Sequence, residues 1–345
     1  MSTTLPAPDL ATFFNPASLA FVGATEDISK FGGRVMRAVL EFGFKGRVYP
    51  VNPRYATLLG QPCYPSVSAL PEAPDHVGIV IAANRVLDTL KQCADKGARF
   101  ATIFTSNFSE TGEASGRALQ DEIVAFARAS GIRLLGPNCN GFINFVDAFA
   151  FASTAAIKGP RKPAGDVGLV CHSGGLGQMN IMWRAQEAGL GITYEVSCGN
   201  EADLDATDFM RFMIDDERTR VIMVAVETIR DGRKFAEVAR HAADREKPLV
   251  MLKFGRTDAG RRGGVAYRRA HRRRRSARCG IPPIRRAARH GLQRTVRSRE
   301  AFAPAQMAAR QPRRRALRFR RPLGVDGRPR RGQRYRLGSL SGPDR

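Results

Sequence analysis

The amino-acid sequence predicts an α/β protein: a Rossmann-like domain, a smaller flavodoxin-like domain, and an arginine-rich tail that is disordered or irregular. Three observations support that reading. Short apolar runs ending in glycine or a polar turn alternate with amphipathic stretches of helical period over residues 18–150, the pattern of a parallel sheet covered on both faces. The alternation resumes at residue 166, after a stretch rich in Gly, Pro and Lys (151–165) that reads as a linker. At Arg262 it stops.

In the first domain (1–150), SLAFVGA (18–24) reads as a strand, followed by a loop and the helix-like GGRVMRAVLEFGF. RVYPVN is the second strand and HVGIVIA (76–82) the third. NRVLDTLKQCADKG has helical period and a glycine stop, FATIFTS is the next strand, residues 112–130 are a helix, and IRLLGPN is the fifth strand. Right-handed crossovers turn this series into a doubly wound sheet. The second domain (166–261) repeats the scheme: strand DVGLVCH, a helix from Gly175, strand ITYEVS, and a helix after Asp203. Strand RVIMVAVE, helix DGRKFAEVARHAADR and strand PLVMLKFG complete it. The acid-rich stretch Glu201–Asp208 reads as a solvated face with helix-capping character.

Composition divides at the same place. From Arg262 onward the chain holds 27 Arg, no Lys and three acids (Glu300, Asp326, Asp344), so the formal net charge of +24 belongs to residues 262–345. An arginine run of this kind is either a solvated tail or a phosphate-neutralising arm. Its few aromatics (Tyr267, Phe302, Phe319, Tyr335) give thin support to stacking on bases, and nucleic acid is not expected as a partner. The six cysteines are scattered, with no CxxC pair and no metal-ligand spacing to histidine, so no metal site is expected and the usage fits a reducing cytoplasm. MSTTLPAPDL lacks the features of a signal peptide, and no apolar run reaches the roughly 18 residues of a membrane span.

Three places carry chemistry. The strand-to-helix turn Gly23-Ala24-Thr25 offers backbone N–H groups at a sheet edge, which suits a phosphate or serves the turn alone. It is not GxGxxG, and no acid ends the second strand; Asn52-Pro53-Arg54 stands there instead. Arg54 suits a phosphorylated ribose or is a solvated loop cation, and an NAD(P)-dependent oxidoreductase is disfavoured. The turn Cys171-His172-Ser173-Gly174-Gly175 repeats the arrangement, with Ser173 as hydroxyl donor and the glycines admitting an anion to the backbone. His172 alone reads as a polar turn residue, and HSGG is not the GxSxG of a hydrolase elbow. Glu227 ends the apolar strand VIMVAVE, where a carboxylate is poorly solvated.

FFNPASLAFVGATED, FGGRVMRAVLEFGFKGRVYPVNPR and RLLGPNCNGFIN resemble the CoA-binding domain of ADP-forming acyl-CoA synthetases, relatives of the succinyl-CoA synthetase α subunit. DVGLVCHSGGLG, VSCGNEADLDATDFMRF, VAVETIRDGRKF and KPLVMLKFGRTDAGRR continue the resemblance in order, so that it covers about residues 10–261. It implies that coenzyme A lies across the first sheet, with Gly23, Ala24 and Thr25 against its phosphates and Asn52, Pro53 and Arg54 at the nucleotide end. Thr105, Ser106 and Asn107 would line the pantetheine path, and Pro137 and Asn138 would close the crevice near the thiol. In the second domain Ser173, Gly174 and Gly175 would face the acyl phosphate, Gln178 would line the acyl pocket, and Glu227 would orient a phosphohistidine. Cys171 stands where the family more often has Ser and is not expected as a nucleophile; His172 is not the phosphohistidine. The implied reaction is acyl-CoA + ADP + phosphate ⇌ carboxylate + CoA + ATP, with a small carboxylic acid as substrate. ATP, ADP and Mg would come through an ATP-grasp domain or subunit. A non-catalytic CoA-sensing module is the alternative.

After KFGRTDAGRR the family pattern calls for an AASHTGALT-like run whose His carries the phosphoryl group; this chain reads GGVAYRRAH (263–271). One GC-rich choice of codons for that string, read one base later, spells Ala-Ala-Ser-His-Thr-Gly-Ala-Leu-Thr. The expectation is therefore a change of reading frame near Arg261–Gly263. The histidine codon would straddle Ala266 and Tyr267, leaving the chain inactive as written, without phosphohistidine and without an ATP-grasp domain.

Overall fold

The computed structural model describes residues 9–153, 157 and 162–254. The arginine-rich tail and residues 154–156 and 158–161 of the expected linker lie outside the described residues.

The first sheet forms as the apolar runs dictate. β1 (Ser18–Val22), β2 (Arg47–Val51), β5 (His76–Ile79), β6 (Phe100–Ile103) and β7 (Arg133–Leu135) pair in parallel in the order β2-β1-β5-β6-β7. Helices α2 (Phe31–Phe42), α3 (Val86–Lys96) and α4 (Ala114–Ser130) make the crossovers, each stopped by a glycine at positive φ (Gly43, Gly97, Gly131). A short hairpin, β3 (Thr57–Leu58) and β4 (Gln61–Pro62), follows β2. Strand order reverses between β1 and β5: the chain leaves β1 toward β2 and then crosses back to β5. A crevice at the carboxyl ends of those two strands is the switch point of such a fold.

The second sheet has six strands in the order β13-β12-β10-β11-β8-β9, of which β8 is Gly141–Asn144 and β9 is Phe149–Ala152. β10 (Val167–Cys171), β11 (Ile192–Ser197), β12 (Val221–Val226) and β13 (Leu249–Lys253) are parallel, with α7 (Ala206–Asp215) and α8 (Gly232–Asp244) between them. Its own switch point lies between β10 and β12. The helical run after β10 is continuous from Gly174 to Glu187 but irregular: α5 (Gly174–Leu176), a π-helical stretch (Gly177–Met182) and α6 (Trp183–Glu187).

The second sheet reaches back across the expected boundary at 150. β8 (Gly141–Asn144) and β9 (Phe149–Ala152) form a hairpin whose first strand pairs antiparallel with β11, so residues 141–152 complete the second sheet. The physical reason is aromatic. Phe142, Phe149 and Phe151 have no exposed surface, and with α1 (Leu10–Phe14) they fill a core shared by both sheets. Gly78 on β5 leaves the room: a Cβ there would lie 2.3 Å from the Phe151 ring and 2.5 Å from Phe21. Burying one such phenyl ring contributes about 2–3 kcal/mol, more than these strands would gain as a solvated linker. No described helix is long and apolar enough to cross a membrane.

Candidate functional site

The first switch point is built by glycines. Gly23 ends β1 at φ 87°, and a Cβ on it would lie 2.0 Å from the Val80 carbonyl oxygen. Its N–H donates to Val51 O (3.0 Å) while Val80 N–H donates to Val22 O (2.9 Å), so the turn is locked to both neighbouring strand ends. Gly32 and Gly33 let the first turn of α2 close onto the loop, with Cβ positions 2.6 Å from Gly23 O and 2.1 Å from Asp27 O. Asn52 Nδ2 donates to Ala24 O (2.8 Å), and Asn52 Oδ1 accepts from Arg54 N (3.0 Å), fixing the loop after β2. Thr25 Oγ1 lies 3.3 Å from the Tyr55 hydroxyl.

Between these edges is a crevice of about 390 Å³ whose lining includes Gly23, Asn52, Pro53, Arg54 and Arg85. Four of the expected residues therefore meet on one cavity. Arg85 was not anticipated; the signal was available in its place just beyond HVGIVIA, at a strand's carboxyl edge. Ala24 and Thr25 are buried behind the turn. Thr105 borders the crevice indirectly, donating to Ile81 O (2.8 Å) and accepting from Ile81 N (3.2 Å). Ser106 and Asn107 are exposed on the loop beyond it.

Pro137 and Asn138 serve as the joint between the two sheets. Asn200 N–H donates to Pro137 O (2.9 Å), Ala202 N–H to Gly136 O (2.9 Å) and Leu204 N–H to Leu134 O (3.1 Å). Gly199 permits the approach, since a Cβ there would sit 2.4 Å from Pro137 O. Asn200 Nδ2 also donates to Glu110 Oε2 (2.6 Å), whose Oε1 accepts from Asn107 N (2.6 Å). Arg133 and Asp203 add a bidentate pair at 2.9 and 3.2 Å. The stretch Glu201–Asp208, expected as a solvated face, is thus largely interior: Glu201 is buried, Asp203 is half-buried with its carboxylate turned inward, and the helix begins only at Ala206. Asp205 caps that helix in a reciprocal box with Asp208.

The second switch point gathers the ends of β10, β11 and β12. Ser173 is the N-cap of the helical run, its Oγ accepting from Leu176 N (3.5 Å). Gly175 is exposed and meets little, while Gly174 is pressed on Asn140, where a Cβ would lie 2.1 Å from Asn140 Cβ. His172 is buried rather than a free turn residue: Nδ1 accepts from Glu227 N (3.2 Å) and Nε2 lies 3.0 Å from Glu201 Oε1. It ties the three strand ends together. Glu227 is half-buried at the tip of β12, and its carbonyl accepts from Lys253 Nζ.

Gln178 departs from its expected place in an acyl pocket. It has no exposed surface; Nε2 donates to Glu195 Oε2 (2.7 Å) and Oε1 accepts from Asn140 Nδ2. Both ends of the amide are spent inside the protein. Glu195 is itself fully buried, and that burial pushes its carboxyl up to about 8. Burial and the neighbouring Glu195 push the Cys171 thiol well above its ordinary range, which makes it a poor nucleophile.

The family profile described as a CoA binding domain matches residues 17–144, and the one described as a succinyl-CoA ligase like flavodoxin domain matches residues 164–273. The α subunit of acetate–CoA ligase [ADP-forming] I from Pyrococcus furiosus is 35% identical over 263 residues, covering 75% of this chain and 55% of that protein. Acetate–CoA ligase [ADP-forming] II from Archaeoglobus fulgidus is 34% identical over 263 residues, covering 75% of this chain and 38% of that one. Among solved structures, the dinucleotide forming acetyl-coenzyme A synthetase 1 of Ca. Korarchaeum cryptofilum, in complex with phosphate and ADP, is 38% identical. It superimposes with a TM-score of 0.68 over 74% of this chain and 53% of its own. The chain therefore spans about half the length of these relatives, or less. In sequence and in fold, the chain belongs to the ADP-forming acyl-CoA synthetase family related to the succinyl-CoA ligase α subunit.

Proposed function

We propose that the described residues form the CoA-binding and acyl-phosphate-handling portion of an ADP-forming acyl-CoA synthetase. The carrying observation is that two successive sheets, the first parallel and the second parallel except for its β8–β9 edge, present glycine turns at their switch points, and that backbone bonds from residues 200–204 to residues 134–137 interlock the two. Coenzyme A would lie in the first crevice, its nucleotide phosphates near Arg54 and Arg85 and its pantetheine running past Thr105, Ser106 and Asn107 toward Pro137 and Asn138. The thioester would then reach the Ser173–Gly175 turn. There, phosphate attack on the acyl carbon would expel the thiolate of CoA and leave an acyl phosphate. Ser173 and the backbone N–H groups would hold the phosphoryl oxygens, and Glu227 would orient the histidine that accepts the phosphoryl group. Catalysis of this kind rests on position and electrostatics. An ATP-grasp partner would supply ADP and magnesium; the acid would be a small carboxylate, and the setting the cytoplasm.

The change of composition at Arg262 favours a second component of the reading: the frame carrying the phosphohistidine is left near Arg261–Gly263, so this polypeptide binds CoA and does not turn over. Two arms test the proposal. The chain as it stands is expected to bind CoA and to acquire no acid-labile phosphate from ATP and an ATP-grasp subunit. A gene with one base shifted at codon 263 is expected to restore both the SHTG-containing frame and the label. Phosphohistidine on the unshifted chain, or no SHTG frame one base over, would overturn the frame argument.

A further inference from the structure

The loop after β6 is held in an uncommon shape by a residue of the other sheet. Ser106 and Asn107 are exposed there, and Asn107 has a left-handed φ of 75°, a conformation few residues other than glycine adopt. Glu110, in the 3₁₀ turn Ser109–Thr111, secures it. Its Oε1 accepts from Asn107 N (2.6 Å) and from Phe108 N (3.2 Å), so two successive backbone amides converge on one carboxylate. Phe108 has no exposed surface and pins the loop to the core of the first sheet.

The second oxygen of Glu110 is met from the second domain. Asn200, in the loop between β11 and α7, is 2% exposed, and its Nδ2 donates to Glu110 Oε2 (2.6 Å) and to Gln120 Oε1 on α4 (3.0 Å). Its Oδ1 accepts from Asn138 Nδ2 (3.4 Å), and its N–H donates to Pro137 O (2.9 Å). Asn138 N–H donates in turn to Thr105 O (2.9 Å). One side chain therefore joins the Thr105–Asn107 loop to the Pro137–Asn138 corner. A carboxamide can do this because it donates at nitrogen and accepts at oxygen. A carboxylate of the same shape would only accept, and would meet Glu110 with like charge. None of the partners named here lines the crevice of Arg54 and Arg85.

We propose that Asn200 is a positioning residue for coenzyme A: through it the second domain sets the spacing between the Thr105–Asn107 loop and the Pro137–Asn138 corner that receives the pantetheine arm. This rests on the reading of those two stretches as the pantetheine path. It makes the pantetheine half of the ligand depend on the second domain and leaves the nucleotide half to the first.

The experiment uses the full chain and calorimetric titration with three probes: CoA, pantetheine, and adenosine 3′,5′-bisphosphate as the nucleotide half. Asn200→Asp sets two carboxylates face to face. It is expected to weaken CoA and pantetheine about tenfold, the worth of one hydrogen bond to a charged group, and to leave the bisphosphate unchanged. Adding Glu110→Gln reverses the bond: the new amide keeps its oxygen on Asn107 N and donates its NH2 to the new carboxylate. The double variant is expected to recover CoA affinity to within about threefold of the parent, the non-additivity of a direct pair. Should Asn200→Asp fail to fold, NMR on the labelled parent chain decides. Its Asn200 side-chain amide signals are expected to shift with CoA and pantetheine and to stay in place with the bisphosphate. Unchanged CoA affinity in Asn200→Asp, equal weakening of CoA and bisphosphate, no recovery in the double variant, or Asn200 signals that ignore bound CoA overturn the proposal. A parent chain that binds neither CoA nor the bisphosphate would instead overturn the functional reading on which it rests.

Discussion

Replacing Gly23 by alanine tests the geometry of the first turn. Two costs add there. Alanine at φ 87° loses about 1–2 kcal/mol to the contact between its Cβ and the backbone. Its Cβ would also lie 2.0 Å from Val80 O, and relieving that contact means moving the end of β5 or β1, an overpacking cost of about 1–3 kcal/mol. The total, about 2–5 kcal/mol, is below the 5–15 kcal/mol of an ordinary domain, so the variant is expected to fold at room temperature with a damaged crevice. Gly131→Ala isolates the first cost: it has φ 81°, but no atom lies within 4 Å of its Cβ position. Urea denaturation followed by circular dichroism should show the larger loss for Gly23→Ala, and CoA titration should show weakened binding for that variant alone. Equal urea midpoints for the two, together with unchanged CoA affinity in Gly23→Ala, would refute the close approach and the role given to the turn.

Three further outcomes are expected. Glu195 ionises near 4.5 in an unfolded chain and near 8 in the fold, so the folded state holds the extra proton between those values. Stability should be greatest below about pH 4.5 for this group, fall by about 5 kcal/mol as pH rises to 8, and level off above; Glu195→Gln should flatten that part of the urea-midpoint profile. Asp203→Ala removes the acceptor shared by Arg133 and Leu134 N at the joint between the sheets. It should cost about 3–5 kcal/mol, the range for a buried pair left with one partner, read from the same urea titration. Arg54→Ala and Arg85→Ala should each weaken CoA about tenfold through lost charge-assisted contacts while leaving pantetheine affinity unchanged, measured by calorimetry.

Both sheets were legible in the sequence because buried parallel strands read as apolar runs closed by glycine, and runs such as SLAFVGA and RVIMVAVE have no competing period. The β8–β9 hairpin was not legible. FINFVDAFAFA is apolar without alternation, since both its faces are buried, and its antiparallel pairing with β11 depends on a strand about fifty residues away. The glycine turns, Asn52 and Arg54 were found as strand-end residues, and a single cavity holds most of them. His172 and Glu201 read as a turn residue and a solvated face because a polar residue beside a turn looks solvated until the strand that buries it is known, whereas Gln178 was expected at an acyl pocket from the family resemblance and lies fully buried. His172 is enclosed by the ends of β11 and β12, and Gln178 by Glu195. Glu195 itself, inside an apolar strand, broke the pattern of ITYEVS; a lone carboxylate there is the one sequence signal of the buried chain to Asn140.

Calorimetric titration of the purified full chain with CoA, alongside NADPH as the competing phosphorylated-ribose ligand, tests the central claim most directly. Saturable binding of CoA, with no heat from NADPH and loss of the signal in Arg54→Ala combined with Arg85→Ala, is the expected result. A folded chain that ignores CoA at millimolar concentration, or that prefers NADPH, would contradict it.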